Sequence, residues 1–475
     1  MNDQTNGDFR GDGAEVVYQI FPDRFRSGDT SLTPKPGAWE WHGKPIEVAR
    51  VGDDDDDFDE KLTTRPSDQY TFFGGDFAGI RLSIPHLVSL GVTTAYLNPI
   101  FAARSVHRYD TIDYLRPDSA LGSREDFDRL VDDLHANGIR IFLDGVFNHT
   151  SRDHAWHIDP VTRRQMYVMK SDEKAMGWMG GESLPKLDTQ NETVQQKIFE
   201  VLDCWSNVDG WRLDAAHLLP QGFLKRLRAH VSPKPIVVED WHFARHYFEK
   251  GLADGVTNFL FRNALKHFFM EDCSPETLFE RLREWIYFYP PECRQCCWNY
   301  LDNHDLPRFV TEVHRRDRLM RGLVLMFTLP GVPQLYQGIE YGMEGATAAE
   351  ARKPMVWDDS AKENDDDNAN GVLKLLRALS AFRHRHVGVF AGGRFEPVFA
   401  DNRTRTLAFR RVRESEDSSS SSPAAVAVVA MNDGYAGSVV ETEFGVWKLD
   451  AGDWRIAVQS GGGGTDILSS ENLTG

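Results

Sequence analysis

The sequence predicts an α/β fold: a (β/α)8 barrel with an inserted subdomain after its third strand and a C-terminal antiparallel β-sandwich domain. Three observations support this fold class. Eight short apolar segments alternate with helical stretches between residues 15 and 385, which is typical of parallel βαβ units. A long polar interval follows the third segment, and closely spaced short strands replace the alternation after about residue 387.

The barrel is expected to occupy residues 14–150 and 190–386. Residues 1–13 have the composition of a loose tail, and EVVYQIF (15–21) is typical of a buried first strand. The other predicted strands are TTAYLNP (93–99), IRIFLDG (139–145), VDGWRLDAA (208–216), PIVVED (235–240), GVTNFL (255–260), CCWNYLDN (296–303) and PQLYQG (333–338). A doubly wound sheet is disfavoured because the first strand is not followed by a phosphate-binding glycine turn.

Two further regions complete the predicted architecture. Residues 151–189 are too many for an ordinary βα loop, so we expect an inserted subdomain there. Residues 387–475 are assigned to the C-terminal domain. Its predicted strands are RFEPVFA (394–400), TRTLAFRRV (404–412), AAVAVVAMN (424–432), WKLDAG (447–452) and WRIAVQS (454–460). The serine run 418–422 and the glycine run 461–464 are predicted loops.

Composition and charge exclude several classes of protein. The 54 basic and 72 acidic residues give a formal net charge of −18, which argues against nucleic-acid binding because phosphate contacts need clustered cations. No segment approaches the roughly 20 apolar residues of a membrane span. The N-terminus lacks the basic start and apolar core of a signal peptide, so we expect a cytoplasmic protein. The acidity also suggests adaptation to concentrated salt.

Carboxylates end four of the otherwise apolar predicted strands. They are Asp144, Asp214, Glu239 and the segment 302–305, which contains two aspartates. In a βα barrel the carboxyl ends of all strands face one mouth, where active sites are built. One such carboxylate is more often a cap or an ion-pair partner. Four together are hard to explain structurally, because like charges repel at close range.

Two chemistries use several carboxylates at one mouth. Glycoside hydrolysis uses one as a nucleophile or base and another as a proton donor, whereas metal-dependent hydrolysis uses them as ligands. Tyr109, Trp178, Trp211 and Trp241 lie beside these motifs. Flat apolar rings stack on sugars, while phosphoryl-transfer sites favour cations and glycine loops. The aromatic residues therefore favour a carbohydrate substrate.

Four motifs together resemble a known family. DGVFNH (144–149), GWRLDAAH (210–217), VVEDWH (237–242) and LDNHD (301–305) are similar, in this order, to the signature regions of the α-amylase family, glycoside hydrolase family 13. LPKLDT (184–189) resembles the segment that marks its neopullulanase, cyclomaltodextrinase and maltogenic amylase group. The resemblance implies a retaining hydrolase of α-1,4-glucosidic bonds in maltooligosaccharides, cyclodextrins, pullulan or starch.

The resemblance also implies roles for individual residues. Asp214 would be the nucleophile, Glu239 the general acid/base and Asp305 the third carboxylate, which grips sugar hydroxyls. Arg212 precedes Asp214 by two residues, so it lies on the same strand face and would hold the nucleophile ionised. The positions implied for substrate binding are Tyr109, Asp144, His149, Arg212, His217, Trp241, His304 and Arg352.

A bound calcium ion is left open by the sequence, and no cofactor is expected to be required. Asp29 and Asp76 stand where some relatives have part of a calcium site, and Asn148 resembles a ligand of the α-amylase calcium. Leu32 and Thr33 replace two further expected ligands, and losing two oxygen ligands weakens a site for a hard cation.

Several alternatives stay open. The same barrel could favour transglycosylation over hydrolysis, bind carbohydrate without turning it over, or use its carboxylates for divalent-metal hydrolysis. The expected partner is an α-glucan or maltooligosaccharide, with no nucleic acid and no membrane. The N-terminal domain common in the resembled group is not recognised, and either a monomer or a homodimer is compatible with the sequence.

Overall fold

A closed eight-stranded parallel barrel forms the body of the protein. The computed structural model describes residues 15–49, 70–357, 368–415, 423–460 and 464–473, so the predicted tail 1–13, the serine run 418–422 and most of the glycine run lie outside it. The barrel strands are β1 (Val17–Ile20), β2 (Thr94–Leu97), β3 (Arg140–Gly145), β4 (Gly210–Leu213), β5 (Ile236–Asp240), β6 (Gly255–Asn258), β7 (Trp298–Tyr300) and β8 (Val332–Tyr336). Each pairs with its neighbours in chain order, which confirms the predicted fold class.

Alternation along the strands creates an apolar layer beneath a polar one. Successive side chains point to opposite faces, so every second residue enters the barrel. The apolar interior cluster consists of Val17, Tyr96, Phe142, Val237, Trp298 and Val332. Two positions further along five of these strands are the buried polar residues Gln19, Asn98, Asp144, Glu239 and Gln334. The interior is thus packed below and polar towards the carboxyl ends of the strands, which is where barrel active sites lie.

Helices surround the barrel and bury one apolar stripe each. The helix Arg124–Ala136 begins with a capping box between Ser123 and Asp126 and buries Phe127 and Leu134. The helices of this layer and its loops are Phe77–Leu82, Ile84–Ser89, Arg124–Ala136, Ala155–Ile158, Pro160–Met166, Glu192–Cys204, Gln221–Val231, Arg245–Glu249, Phe259–Phe269, Pro275–Phe288, Pro291–Arg294, Phe309–Val313, Arg316–Thr328, Ala348–Ala351, Asn368–Arg385 and Val387–Gly392. No helix in the described residues is long and apolar enough to cross a membrane.

Small elements surround the mouth of the barrel. Short strand pairs join Glu40–Trp41 to Lys44–Pro45, Glu47–Val48 to Thr71–Phe72, and Phe101–Ala103 to Thr111–Pro117. After β3, the segment predicted as an inserted subdomain contains two short helices, and isolated bridges such as His149 to Lys186 tie it together. These segments supply the side walls above the carboxyl ends of the strands.

The C-terminal region is a five-stranded antiparallel sheet with a hairpin on one face. Its strands are β9 (Arg394–Asp401), β10 (Thr406–Arg413), β11 (Ala425–Asn432), β12 (Ser438–Thr442), β13 (Gly445–Leu449), β14 (Trp454–Ser460) and β15 (Thr465–Ser469). The β12–β13 hairpin packs Val440 and Trp447 against the sheet, while Phe395 and Phe409 on the sheet join the core of the barrel layer. The helix Ser470–Leu473 follows β15. The sequence did not predict β12 and β15.

Candidate active site

One arginine connects the carboxylates of three adjacent strands. Nη1 of Arg212, on β4, lies 2.7 and 2.8 Å from the two carboxylate oxygens of Asp144 and 3.1 Å from Oδ1 of Asp214. Its Nη2 lies 3.0 Å from Oε1 of Glu239, at the end of β5. All four side chains are almost fully buried. The structure therefore brings together the predicted nucleophile, the predicted acid/base and their predicted cationic partner.

Burial and neighbouring charges raise the pKa of two carboxyl groups in this cluster. Burial and the adjacent negative charge of Glu239 raise the pKa of Asp214 well above its usual value, although Arg212 opposes the shift. Burial likewise raises the pKa of Asp144, against the effect of Arg212. Arg212 contacts both Asp214 and Glu239, so one positive charge faces two carboxyl groups from neighbouring strands.

The backbone and a tryptophan hold Glu239 in place. Its Oε2 accepts a hydrogen bond from the backbone N–H of Ala215 at 2.9 Å, and its Oε1 lies 3.4 Å from Nε1 of Trp241. Ala215 has a φ of 44°, in the left-handed region, so the turn just after Asp214 aims its N–H at Glu239. Trp241 is half-exposed and stacks on Phe259 with a ring-centroid distance of 5.2 Å.

Asp305 lies at the same mouth with its own cation. Nη2 of Arg352 lies 2.7 Å from Oδ1 of Asp305, and Nε of Arg352 donates to the backbone oxygen of His304 at 2.7 Å. Nε2 of His304 lies 3.1 Å from Oδ2 of Asp305. Burial, together with the charges of Arg352 and Arg212, holds the pKa of His304 well below its usual value, so the ring is neutral at pH 7.

Tyr109 links the two halves of the cluster. Its hydroxyl donates to Oδ2 of Asp144 at 2.8 Å and lies 2.7 Å from Nε2 of His304. The two rings are parallel within 3°, with centroids 5.5 Å apart. Asp144 also accepts a hydrogen bond from Tyr96 at 2.7 Å. A half-buried aromatic ring next to this cluster suits the stacking platform that the sequence predicted.

The remaining predicted binding residues differ in their exposure. His149 is buried, its ring lies 5.8 Å from that of Trp178, and burial lowers its pKa to about 4. Its Nε2 has no hydrogen-bond partner among the described residues, so it is free for a ligand. His217 is exposed on the short helix Ala216–Leu218. Trp211 packs in the core beside Phe147, away from solvent, so it is not a sugar platform.

The predicted calcium candidates do not form one site. Asp76 accepts hydrogen bonds from the backbone N–H groups of Gly79 at 2.6 Å and Asp29 at 2.7 Å, so its oxygens are occupied as a helix cap. Oδ1 of Asp29 accepts from Ser31. Among the described residues, no group of three His, Cys, Asp or Glu side chains is placed to hold a metal ion. Oδ1 of Asn148 is buried without a partner in the same residues, and calcium binding there stays a prediction.

Three polar side chains at the floor of the site were missed by the sequence analysis. Gln19 on β1 contacts His304 and Asn98, and Gln334 on β8 contacts Gln19. Each of these amides follows an inward-facing apolar residue by two positions, as Asp144 and Glu239 do. This spacing could have identified them from the sequence. The predicted carboxylate cluster came from β3, β4, β5 and β7, so the amides at β1, β2 and β8 were not among the predicted site residues.

Comparisons with known proteins identify the family of this chain. Residues 19–374 match the family model described as alpha amylase, catalytic domain. The chain is 33% identical over 423 residues to Neopullulanase 2 of Thermoactinomyces vulgaris, covering 84% of this chain and 68% of that protein. It is 30% identical over 427 residues to a cyclomaltodextrinase of Bacillus sp, covering 83% and 70%.

A solved structure is similar over almost the whole chain. The ligand-free cyclic alpha-maltosyl-(1-->6)-maltose hydrolase from Arthrobacter globiformis superposes with a TM-score of 0.79 at 27% identity, covering 98% of this chain and 100% of that one. The likeness therefore includes the C-terminal sheet as well as the barrel.

Proposed function

Since the chain belongs to the α-amylase family of glycosidases, we propose that it is a retaining hydrolase of α-1,4-glucosidic bonds, with Asp214 as nucleophile and Glu239 as general acid/base. The observation that carries this proposal is the contact of one guanidinium, that of Arg212, with Asp214 and Glu239 at the mouth of the barrel. This contact holds two carboxylates from neighbouring strands around a common space.

The reaction proceeds in two displacements. Asp214 attacks the anomeric carbon while protonated Glu239 gives its proton to the departing glycosidic oxygen, so the C–O bond of the glucan breaks and an ester to Asp214 forms. Water then attacks the same carbon, Glu239 takes its proton, and Asp214 leaves. Two inversions at one carbon leave the anomeric configuration unchanged.

The contacts of Arg212 explain how one site supplies both an acid and a nucleophile. Asp214 and Glu239 both contact its guanidinium. A bound glucan brings a glycosidic oxygen to Glu239 as a proton acceptor, while Arg212 stabilises the ionised form of Asp214. Asp305 and the N–H groups of Arg352 surround the remaining space and bind sugar hydroxyls.

Maltooligosaccharides, cyclodextrins, pullulan and starch are the proposed substrates. The similarity to a neopullulanase and to a cyclomaltodextrinase supports this range. Tyr109 supplies the stacking face for the cleaved sugar, and the exposed faces of Trp241 and Trp178 are available to neighbouring sugars. A cytoplasmic location, and a monomeric or homodimeric state, stay predictions of the sequence.

Product analysis tests the proposal. The purified protein is incubated separately with maltoheptaose, β-cyclodextrin, pullulan and starch, with and without EDTA, and products are separated by chromatography. We expect maltose and glucose, with EDTA having no effect. Proton NMR of the first turnovers should show the new reducing end as the α anomer. Products longer than maltoheptaose would identify transglycosylation instead.

Matched variants separate catalysis from folding. Asp214→Asn and Glu239→Gln should each lower kcat by about 10³-fold or more, because each removes a reacting group. Asp240→Asn is the control, since Asp240 follows Glu239 on β5 but accepts its hydrogen bonds from His242 and Tyr247. An Asp214→Asn enzyme with full activity, or a β-anomeric product, would refute the mechanism.

A further inference from the structure

We propose that Gln19, on β1, is a positioning residue that fixes the proton of the neutral His304 ring on Nε2. Gln19 lies beneath the site, and its Nε2 is 2.9 Å from Nδ1 of His304. The location of the proton follows from hydrogen bonds alone. What the proton does for catalysis rests on the function proposed above.

The hydrogen-bond network begins at a group whose polarity is fixed. Asp144 is an ionised carboxylate paired with Arg212 at 2.7 and 2.8 Å, so it only accepts hydrogen bonds. The Tyr109 hydroxyl lies 2.8 Å from Oδ2 of Asp144 and must donate its single hydrogen there. The oxygen of Tyr109 can therefore only accept from its other neighbours.

The next two amides are oriented in turn by Tyr109. Asn98 lies 2.9 Å from the Tyr109 oxygen and must present its NH₂ group to it, which leaves Oδ1 of Asn98 to face Gln19 at 3.0 Å. Gln19 must then present its own NH₂ group to Asn98. Its Oε1 accepts from Nε2 of Gln334 at 2.9 Å, which agrees with this orientation.

The second hydrogen of the Gln19 amide determines the tautomer of His304. It points at Nδ1, which must be the bare, accepting nitrogen, so the one N–H of the neutral ring is on Nε2. That N–H faces the Tyr109 oxygen at 2.7 Å and Oδ2 of Asp305 at 3.1 Å. Each donor in this network has an acceptor, from Gln334 to Asp144.

The tautomer matters because His304 lies beside the carboxylates. With the proton on Nε2, the ring offers an N–H donor to the space next to Asp305, where a sugar hydroxyl oxygen can accept it as charge develops in the transition state. With the proton on Nδ1, a lone pair would face both the sugar and the Tyr109 oxygen. Without Gln19, nothing in the described network holds Nδ1 bare.

The wild-type protein tests the proton location directly. Histidines are labelled with ¹⁵N, and long-range proton–nitrogen correlation at pH 7 distinguishes the two neutral tautomers and the cation. A His304→Gln variant identifies the His304 signal. We expect the Nε2–H form. An Nδ1–H form or a cation at pH 7 overturns the proposal, whether or not the protein cleaves any glucan.

Two glutamine variants test the consequence. Gln19→Met should shift the His304 signals away from the pure Nε2–H form and lower kcat/KM on maltoheptaose by about 30-fold, mainly in kcat. The control is Gln337→Met. Gln337 is also fully buried, but it accepts from the Phe21 N–H at 2.8 Å and donates to the backbone oxygen of Arg24 at 3.2 Å.

The pair of variants separates positioning from folding. Both should lose thermal stability, while Gln337→Met should keep kcat/KM within about threefold and leave the His304 signals unchanged. Equal losses of kcat/KM in both variants, or an unchanged tautomer in Gln19→Met, overturn the proposal. If Gln19→Met does not fold, the wild-type spectrum decides. A wild type that cleaves no substrate refutes the proposed function and leaves the tautomer test intact.

Discussion

Buried arginine side chains have different kinds of partner in two regions of the molecule. At the mouth of the barrel, Arg212 contacts the carboxylates of Asp144, Asp214 and Glu239. At the junction with the C-terminal sheet, Arg383 and Arg411 are equally buried, but their hydrogen bonds go to backbone carbonyl oxygens. Arg212 thus faces full negative charges, whereas Arg383 and Arg411 face peptide dipoles.

The carbonyl partners of Arg411 explain how its charge is tolerated. Its three nitrogens donate to the oxygens of Thr328 at 2.8 Å, Phe390 at 2.8 Å and Gly393 at 2.9 Å. Thr328 ends one helix, and Phe390 and Gly393 lie at the end of another. Carbonyl groups at helix ends lack partners within the helix and carry the negative end of its dipole, so Arg411 caps two helices at once.

The pKa directions in the two regions differ accordingly. Burial lowers the pKa of Arg212, but the charges of Asp144 and Glu239 outweigh this and raise it well above its usual value. Burial lowers the pKa of Arg383 to about 9, and burial with the charge of Arg383 lowers that of Arg411. Peptide dipoles thus satisfy the hydrogen bonds of Arg383 and Arg411 without fully compensating their buried charge, whereas the carboxylates around Arg212 do compensate its charge.

The largest expected effect is the loss of catalysis in Arg212→Lys. Lysine keeps the charge but cannot place separate nitrogens against Asp214 and Glu239 at the same time. We expect kcat/KM on maltoheptaose to fall by about 10³-fold, which corresponds to about 4 kcal/mol of transition-state stabilisation. Steady-state kinetics over a range of pH provides the measurement.

Arg411→Lys is the matched control for that variant. It makes the same substitution at an equally buried arginine outside the mouth, so it should lower thermal stability and leave kcat/KM within about threefold. Comparable kinetic losses in both variants would mean that Arg212 acts through stability alone, and the contrast between the two regions would fail.

The sequence predicted the barrel because its strands are buried on both faces. Such strands are continuous apolar runs, and the charged residues that end them, such as Asp144 and Glu239, mark the mouth. β12 and β15 were missed for the opposite reason. They are short strands at the edge of the C-terminal domain with mostly exposed or half-buried side chains, so they lack an apolar signal.

Long-range partners could not be predicted from the sequence. Arg410 and Arg411 are adjacent on β10, yet Arg411 is fully buried and Arg410 lies near the surface beside Glu396. Which of the two arginines caps the helices depends on how the sheet packs against the barrel. That packing cannot be inferred from the residue type. Gln19 is a different case, because its position two residues after Val17 marks it as inward-facing, but its role depends on His304, 285 residues away.

The next largest effect is expected in Arg411→Met. Methionine fills similar space but leaves three buried carbonyl oxygens without donors. The cost of these unpaired oxygens exceeds the free energy gained by removing a buried charge. We expect the free energy of unfolding in urea to fall by about 3 kcal/mol while kcat on maltoheptaose stays near the wild-type value. An unchanged unfolding free energy would show that the helix-end carbonyls find other partners.

The smallest expected effect is that of a substitution at Asp110. Like Arg411, Asp110 is a buried ionisable residue with neutral hydrogen-bond partners. In the described residues, its side-chain hydrogen bonds come from neutral groups, the Ser105 hydroxyl and Nε1 of Trp41 at 2.7 Å. Burial raises the pKa of Asp110 from 3.8 to about 6. A carboxyl group whose pKa is higher in the folded state stabilises the protein most below the unfolded pKa, and this contribution disappears as the pH rises through the folded pKa.

Urea unfolding of Asp110→Asn therefore isolates the contribution of this one group. Between pH 4.5 and pH 7, the wild type should lose about 2 kcal/mol of stability relative to the variant, because the folded carboxyl group must ionise without a cationic partner among the residues that the structure describes. Comparing the two proteins at each pH cancels the other titrating groups that they share. A difference that is constant with pH would mean that the carboxyl group of Asp110 has the same pKa in the folded and unfolded states, so that its neutral donors offset its burial.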